Sequence, residues 1–259
     1  MRRARAWLVA LALGLAVGGR ADAQSPIQPL VADLSQHLVA ITTAYSGTEV
    51  LLFGATDGPG DIVMVVRGPI LTHVVRKKDK LGIVWANRES VIFEDVPSFY
   101  RVAANRPLEQ FAKPEVLSRH QIGTKFLTLP IAQEDTLSPE EQAQFREAFL
   151  RLKREAGLYG GDDIGDEDTE PRIQTLSNRL FRVTLKFPAN VPVGPYSVEV
   201  YLFRDGQVVS AEITPLIISK IGVGADMYGV AMDWPWTYGI VGVIVAVTAG
   251  WLAGVLFRK

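Results

Sequence analysis

The sequence predicts a mainly β protein, an antiparallel sandwich carrying a helical insertion, followed by one transmembrane helix near the C-terminus. Three observations predict it. Short apolar runs rich in Val, Ile, Phe and Tyr recur between residues 37 and 106 and again from 180 to 218, the spacing of strands rather than of helices. The stretch between them turns rich in Glu, Gln, Ala, Arg and Leu, good helix formers for the most part. Trp236 to Phe257 then runs without a charged residue.

The chain opens on Met1-Arg2-Arg3-Ala4-Arg5, a positive stretch, followed by the uncharged apolar run Ala6 to Gly18. Ala21 and Ala23 supply small residues at alternating positions, so residues 1–23 read as a signal peptide cut after Ala23. The run is shorter than the roughly 20 residues of a spanning helix.

Strands are expected at His37 to Thr43, Glu49 to Ala55, Ile62 to Arg67, Leu71 to Arg76, Leu81 to Ala86, Ser90 to Glu94 and Phe99 to Ala103. Turn residues separate them: Ser46-Gly47, Asp57-Gly58-Pro59-Gly60, Gly68-Pro69 and the basic cluster Arg76-Lys77-Lys78-Asp79-Lys80. That cluster reads as a hairpin tip kept soluble and blunt against edge pairing. Contact with anionic lipid or an acidic partner is the alternative.

A helical insertion is expected over about 107–157. Ser138-Pro139-Glu140-Glu141 is a helix start, with Ser138 capping, Pro139 in the first turn and Glu141 closing a capping box. Phe145, Phe149 and Leu152 follow at helical spacing on one face, and Gly157 stops the helix. Residues 160–171 carry six carboxylates and three glycines, too charged to bury, and read as an exposed loop.

Strands return at Leu180 to Phe187, Tyr196 to Arg204 and Gln207 to Ile218. Val198, Val200 and Leu202 alternate with Glu199, Tyr201 and Phe203, and Asp205-Gly206 is a two-residue hairpin turn. Tyr196 stands two residues ahead of the core position Val198, as a tyrosine does at the sixth strand of immunoglobulin-like sandwiches. The preferred organisation is one immunoglobulin-like sandwich over 24–220 with the helical segment inserted, and two small domains is the alternative. Residues 221–235 form a juxtamembrane linker.

Trp236 to Phe257 would span about 33 Å as a helix at 1.5 Å per residue, enough to cross a bilayer. Trp234, Trp236 and Tyr238 stand where amphipathic rings meet headgroups, and Arg258 and Lys259 close the chain on the side expected to remain cytoplasmic. Gly242, Ala246, Gly250 and Gly254 recur every four residues. Such a stripe lets a second helix approach closely. A plain anchor is the bland alternative.

Removing residues 1–23 takes four arginines and one aspartate from the chain, so its formal net charge moves from -1 to -4. Setting Arg258 and Lys259 aside leaves -6 on residues 24–235, which argues against nucleic acid. With no cysteine, disulfides, thiolate nucleophiles and zinc-thiolate sites are excluded. His37, His73 and His120 are far apart and form no His-Glu-x-x-His helix. Ser46 lacks the glycine of a nucleophile elbow, and no phosphate loop or dinucleotide fingerprint occurs. In the acidic run, Pro171 and Ser177 stand where a calcium loop needs glycine and glutamate. No catalytic, cofactor or metal residue is therefore assigned. An enzyme would need a site assembled from dispersed groups such as Glu94, Asp95, His73 and Arg101.

Taken together, Pro192-Val193-Gly194-Pro195-Tyr196, Lys220-Ile221-Gly222 and the tail from Tyr238-Gly239 through Gly250-Trp251-Leu252-Ala253-Gly254 to Phe257-Arg258 resemble a family of alphaproteobacterial transmembrane proteins of unknown function. The resemblance covers the chain from signal peptide to anchor. It implies single-pass attachment to the bacterial inner membrane, a periplasmic domain and an inner-membrane permease of sulfite-exporter-like kind as partner, and it transfers no active-site residue. The function expected is a non-enzymatic accessory, sensing or interaction protein in contact with the lipid bilayer, a permease or its own copy. A periplasmic enzyme is the alternative.

Overall fold

The computed structural model describes residues 29–81, 84–132, 137–161, 172–222 and 231–256, without the side chains of 78–88. The expected signal peptide, most of the acidic loop, Arg258 and Lys259 lie outside them. The strands are β1 (Leu30–Leu34), β2 (Leu38–Ile41), β3 (Gly47–Thr56), β4 (Asp61–Arg67), β5 (Ile70–Leu81), β6 (Val84–Pro97), β7 (Tyr100–Ala104), β8 (Tyr159–Gly160), β9 (Gln174–Leu176), β10 (Leu180–Pro188), β11 (Gly194–Arg204) and β12 (Gln207–Lys220). The helices are α1 (Pro114–His120), α2 (Pro139–Glu155) and α3 (Pro235–Leu256), with 3-10 turns at Leu108–Gln110 and Thr124–Phe126.

Alternation builds the first sheet, ordered β1-β3-β10-β9 and antiparallel throughout. In β10 the side chains of Phe181, Val183, Leu185 and Phe187 are buried, while Leu180, Arg182, Thr184 and Lys186 between them are exposed. Period two is what one covered face requires. The second sheet is ordered β2-β12-β11-β4-β7-β8. Its pairs are antiparallel except at the edges, where β2 lies parallel to β12 and β8 parallel to β7. Both exceptions are short strands reached by long connections, which free them from hairpin direction.

Pairing of β4 with β11 joins residues 61–67 to 197–203, so strands from before and after the helical segment share one sheet. Between the two sheets lies one apolar core, with Leu52, Val50 and Leu185 facing Met64, Val198, Val200 and Leu216. Tyr196 donates its hydroxyl proton to the Pro192 carbonyl at 2.6 Å and packs its ring on Phe99 and Phe187, fixing the turn into β11. At the other end of β11, Asp205 and Gly206 both take positive φ, 52° and 75°, as a two-residue hairpin turn demands.

The far face of the second sheet is covered too. Val63, Val65, Tyr100, Val102, Tyr201 and Phe203 meet Phe93 and Val91 of the β5–β6 hairpin, Leu117 of α1 and Phe145 and Phe149 of α2 in a second core. Hence the continuous run Ile62 to Val66 is buried on both faces of β4. The face of β11 that carries Tyr201 and Phe203 is therefore covered as well: Tyr201 is 8% exposed and Phe203 is 0% exposed, because the insertion lies over them.

Three expectations shift. Arg76 to Lys80 is not a hairpin tip but part of β5, which runs on to Leu81, and Leu81 to Ala86 and Ser90 to Glu94 do not stand as two strands because β6 is continuous from Val84 to Pro97. Lys77 faces Glu89 in register, with its Nζ 3.8 Å from that carboxylate. Helix α2 begins at the expected capping box, Ser138 accepting from the Glu141 amide and Glu141 from the Ser138 amide. Its buried stripe, however, is Phe145, Phe149 and Lys153; Leu152 is 50% exposed. At 100° per residue Leu152 and Lys153 flank the Phe145–Phe149 line on opposite sides, and the neighbouring strands cover the side that carries Lys153.

β4, β12 and β2 end, and β11 and β7 begin, at one end of the second sheet, where Arg67 lies opposite Ser197 and Tyr100, and Ile217 between Pro195 and Leu38. The chain leaves the sheet there at Lys220 and enters α3 at Pro235.

Candidate functional site

Helix α3 has 22 residues with a mean hydropathy of 2.2 over its most apolar window, and none of that window is buried. Its backbone bonds close internally, and Thr237 and Thr248 return their hydroxyls to the carbonyls of Trp234 and Ile244 at 2.7 and 2.8 Å. Such a segment is stable in hydrocarbon, which offers no competing hydrogen bonds. Among the described residues, nothing outside the helix's own backbone and chain neighbours lies within 4 Å of where a Cβ would stand on Gly242, Gly250 or Gly254. With Ala246 they form a row of small side chains beside the exposed row Val243, Val247 and Trp251. Trp234, Trp236 and Tyr238 are exposed at the start of the helix.

The dispersed polar groups occupy three separate places. His73 points from β5 into the second core, its ring centroid 5.8 Å from that of Phe149. Arg101, on β7, donates to the carbonyls of Lys186 and Gly157 at 3.3 and 3.2 Å, and its Nε is buried without a hydrogen-bond partner among the described residues. Asp95 lines a cleft of about 420 Å³ with Arg67, Ile70, Pro97, Arg119 and His120. Glu94, next to it, is exposed. His37 sits 3.3 Å from Asp33 on the surface, and His120 lays its ring against Tyr201. Among the described residues no group of three or more His, Asp or Glu could hold a metal ion.

Two clusters escaped the sequence reading. In the first, Lys153 is 8% exposed, its Nζ 3.1 Å from His73 Nε2 and donating to the Ser98 carbonyl at 3.3 Å, above the rings of Phe149 and Tyr159. Burial pushes its pKa from the ordinary 10.5 down to about 8. His73 is lowered as well, by burial first and by the Lys153 charge second. The available signal was the four-residue step from Phe145 and Phe149. In the second cluster, the Glu199 carboxylate accepts from Arg67 Nε at 3.1 Å and from the Tyr201 hydroxyl at 2.7 Å. Arg67 also donates to the His120 carbonyl at 2.8 Å, tying α1 to the sheet. The signal there was Tyr201 and Phe203 themselves, bulky rings on the second face of β11.

Lys153 yields a pH prediction. A base whose folded pKa is depressed binds fewer protons folded than unfolded between the two values, so stability rises with pH there. For Lys153 that window runs from about 8 to 10.5. Other lysines and tyrosines also titrate in it, so the quantity to read is the difference between wild type and Lys153→Met. Denaturant midpoints measured at its two ends should climb less steeply for the variant. Equal slopes would mean that Lys153 is not held below its ordinary range.

A search of curated proteins and a search of solved structures each find no match to this chain. A family model described as "Putative transmembrane protein (Alph_Pro_TM)" matches residues 29–259, from the first strand through α3 to the last residue. The chain therefore belongs to that family, as a membrane protein with a β-rich domain and one C-terminal apolar helix.

Proposed function

We propose that this is a non-enzymatic accessory protein, exported across the bacterial inner membrane through residues 1–23 and held there by α3, with its sandwich domain periplasmic and Lys259 cytoplasmic. The sandwich is taken as immunoglobulin-like. Its task is to sense or bind on the periplasmic side while α3 docks on an inner-membrane partner, a permease or a second copy of the chain, along Gly242, Ala246, Gly250 and Gly254. The observation that carries the reading is the dispersal of Glu94, Asp95, His73 and Arg101 over three unconnected places, while the small-residue track of α3 stands open. Trp234, Trp236 and Tyr238 would hold the periplasmic interface, and Arg258 and Lys259 the cytoplasmic one.

Spacing of four on a 3.6-residue turn drifts slowly round the helix, favouring a right-handed crossing. Isoleucine at Gly250 and Gly254 together should abolish co-purification and in-membrane crosslinking of the partner while leaving insertion intact. Val241→Ile with Val245→Ile, on the opposite side of the helix from Gly250 and Gly254 at 100° per residue and equally exposed, should have little effect. Equal association of both pairs would reduce α3 to an anchor.

A further inference from the structure

The end of the domain where the chain departs for α3 carries an uncovered apolar rim. Leu38 and Ile217 lie side by side on β2 and β12, each 52% exposed. Ile70 and Leu71 start β5 at 55% and 44%, and Val193 and Ile221 flank β11 and β12 at 46% each. The cleft containing Arg67 and Arg119 involves the same strand ends, Arg67, Ile70 and Pro97. Gly194 brings Pro69 against β11, where an added Cβ would stand 2.9 Å from Pro69 Cγ, so Ile70 sits close to the Pro195–Ile217 pair.

What covers this rim follows from the chain itself. Only Ile221 to Trp234 separates Lys220 from α3, at most about 50 Å of extended chain and roughly 20 Å as a flexible one. A surface held that close to a bilayer meets it at an effective concentration in the millimolar range, so even a weak apolar contact is populated. We propose that this end of the domain is a lipid-binding surface: Leu38, Ile70, Leu71, Val193, Ile217 and Ile221 seat in the headgroup and acyl boundary, and Arg119 meets lipid phosphates at the cleft mouth. Aliphatic side chains favour that boundary and exposed arginines its anionic phosphates. The proposal rests on α3 spanning the membrane. Exposed aliphatics at the opposite end, Leu180 at 52% and Val209 at 48%, are as apolar and as open, but the length of the strands holds them away from the bilayer.

The absence of cysteine makes single-cysteine labelling clean. The full chain, labelled with an environment-sensitive fluorophore at Ile70→Cys, Ile217→Cys, Leu180→Cys, Val209→Cys or Val247→Cys, is reconstituted in vesicles of equimolar phosphatidylcholine and phosphatidylglycerol carrying nitroxide-labelled lipid. Quenching at Ile70 and Ile217 should exceed that at Leu180 and Val209 severalfold, and Val247, inside α3, should be quenched most. Adding Leu38→Asp and Leu71→Asp, both at exposed positions, should cut the quenching at Ile217 without altering that at Val247. Uniformly weak quenching at all four domain positions with strong quenching at Val247 would overturn the seating and leave the anchor standing. Loss of quenching at Val247 would overturn the anchor and with it the seating. Disulfide-linked dimers of unlabelled Ile217→Cys in place of quenching would give the rim to a second copy, and would overturn the proposal too.

Discussion

Truncating Phe149 to alanine is expected to destabilise the domain by about 3–5 kcal/mol, the range for deleting a buried phenylalanine from a packed core. Phe149 is 2% exposed and joins three elements, its ring centroid lying 4.8 Å from Phe93 on β6, 5.8 Å from Tyr159 on β8 and 5.8 Å from His73 on β5. Lys153 Nζ lies 5.5 Å from the same ring, so the truncation also strips a buried ammonium of part of its aromatic shelter. The site has little room to collapse, since its neighbours are rings held by strands and by a bond from the Tyr159 hydroxyl to the Pro97 carbonyl at 2.5 Å. Leu152→Ala, one turn on but half exposed, should stay within about 0.5 kcal/mol. Denaturant unfolding of the full chain in mild detergent separates the two, and equal losses would place α2 the wrong way round against the sheet.

That comparison also marks how far the sequence could be read. Alternation along β10 and β11, the Asp205-Gly206 turn and the Ser138 capping box are local signals, and each predicts its element because the physics that makes it is local. The same pattern failed where a third layer intervened. Alternation tells which residues share a face but not whether that face meets water, so the pattern along β11 could not show that Glu199, Tyr201 and Phe203 lie under α1, α2 and the β5–β6 hairpin. Arg76 to Lys80 misled in the opposite sense: a charged run is usual at a turn, yet a long hairpin can carry it on paired strands. The placing of Gly242, Ala246, Gly250 and Gly254 along one stripe of α3 was legible because helical spacing is local. The Lys153–His73 contact was not, since it joins residues 80 positions apart, and no spacing rule reaches that far.

The second large effect concerns placement, on which the periplasmic function, the docking of α3 and the seating on lipid all depend. The proposed signal peptide and the helix together predict a chain that crosses the membrane once after export, with the basic pair Arg258-Lys259 retained on the cytoplasmic side. Moving a whole folded domain from one side to the other is an all-or-none outcome rather than a graded one. Alkaline phosphatase reports it because the enzyme matures only where disulfides form, which is outside the cytoplasm. Fused after Lys220, it should be fully active in bacterial cells, and fused after Lys259 it should be inactive. Activity after Lys259 with none after Lys220 would put the sandwich in the cytoplasm and contradict the account.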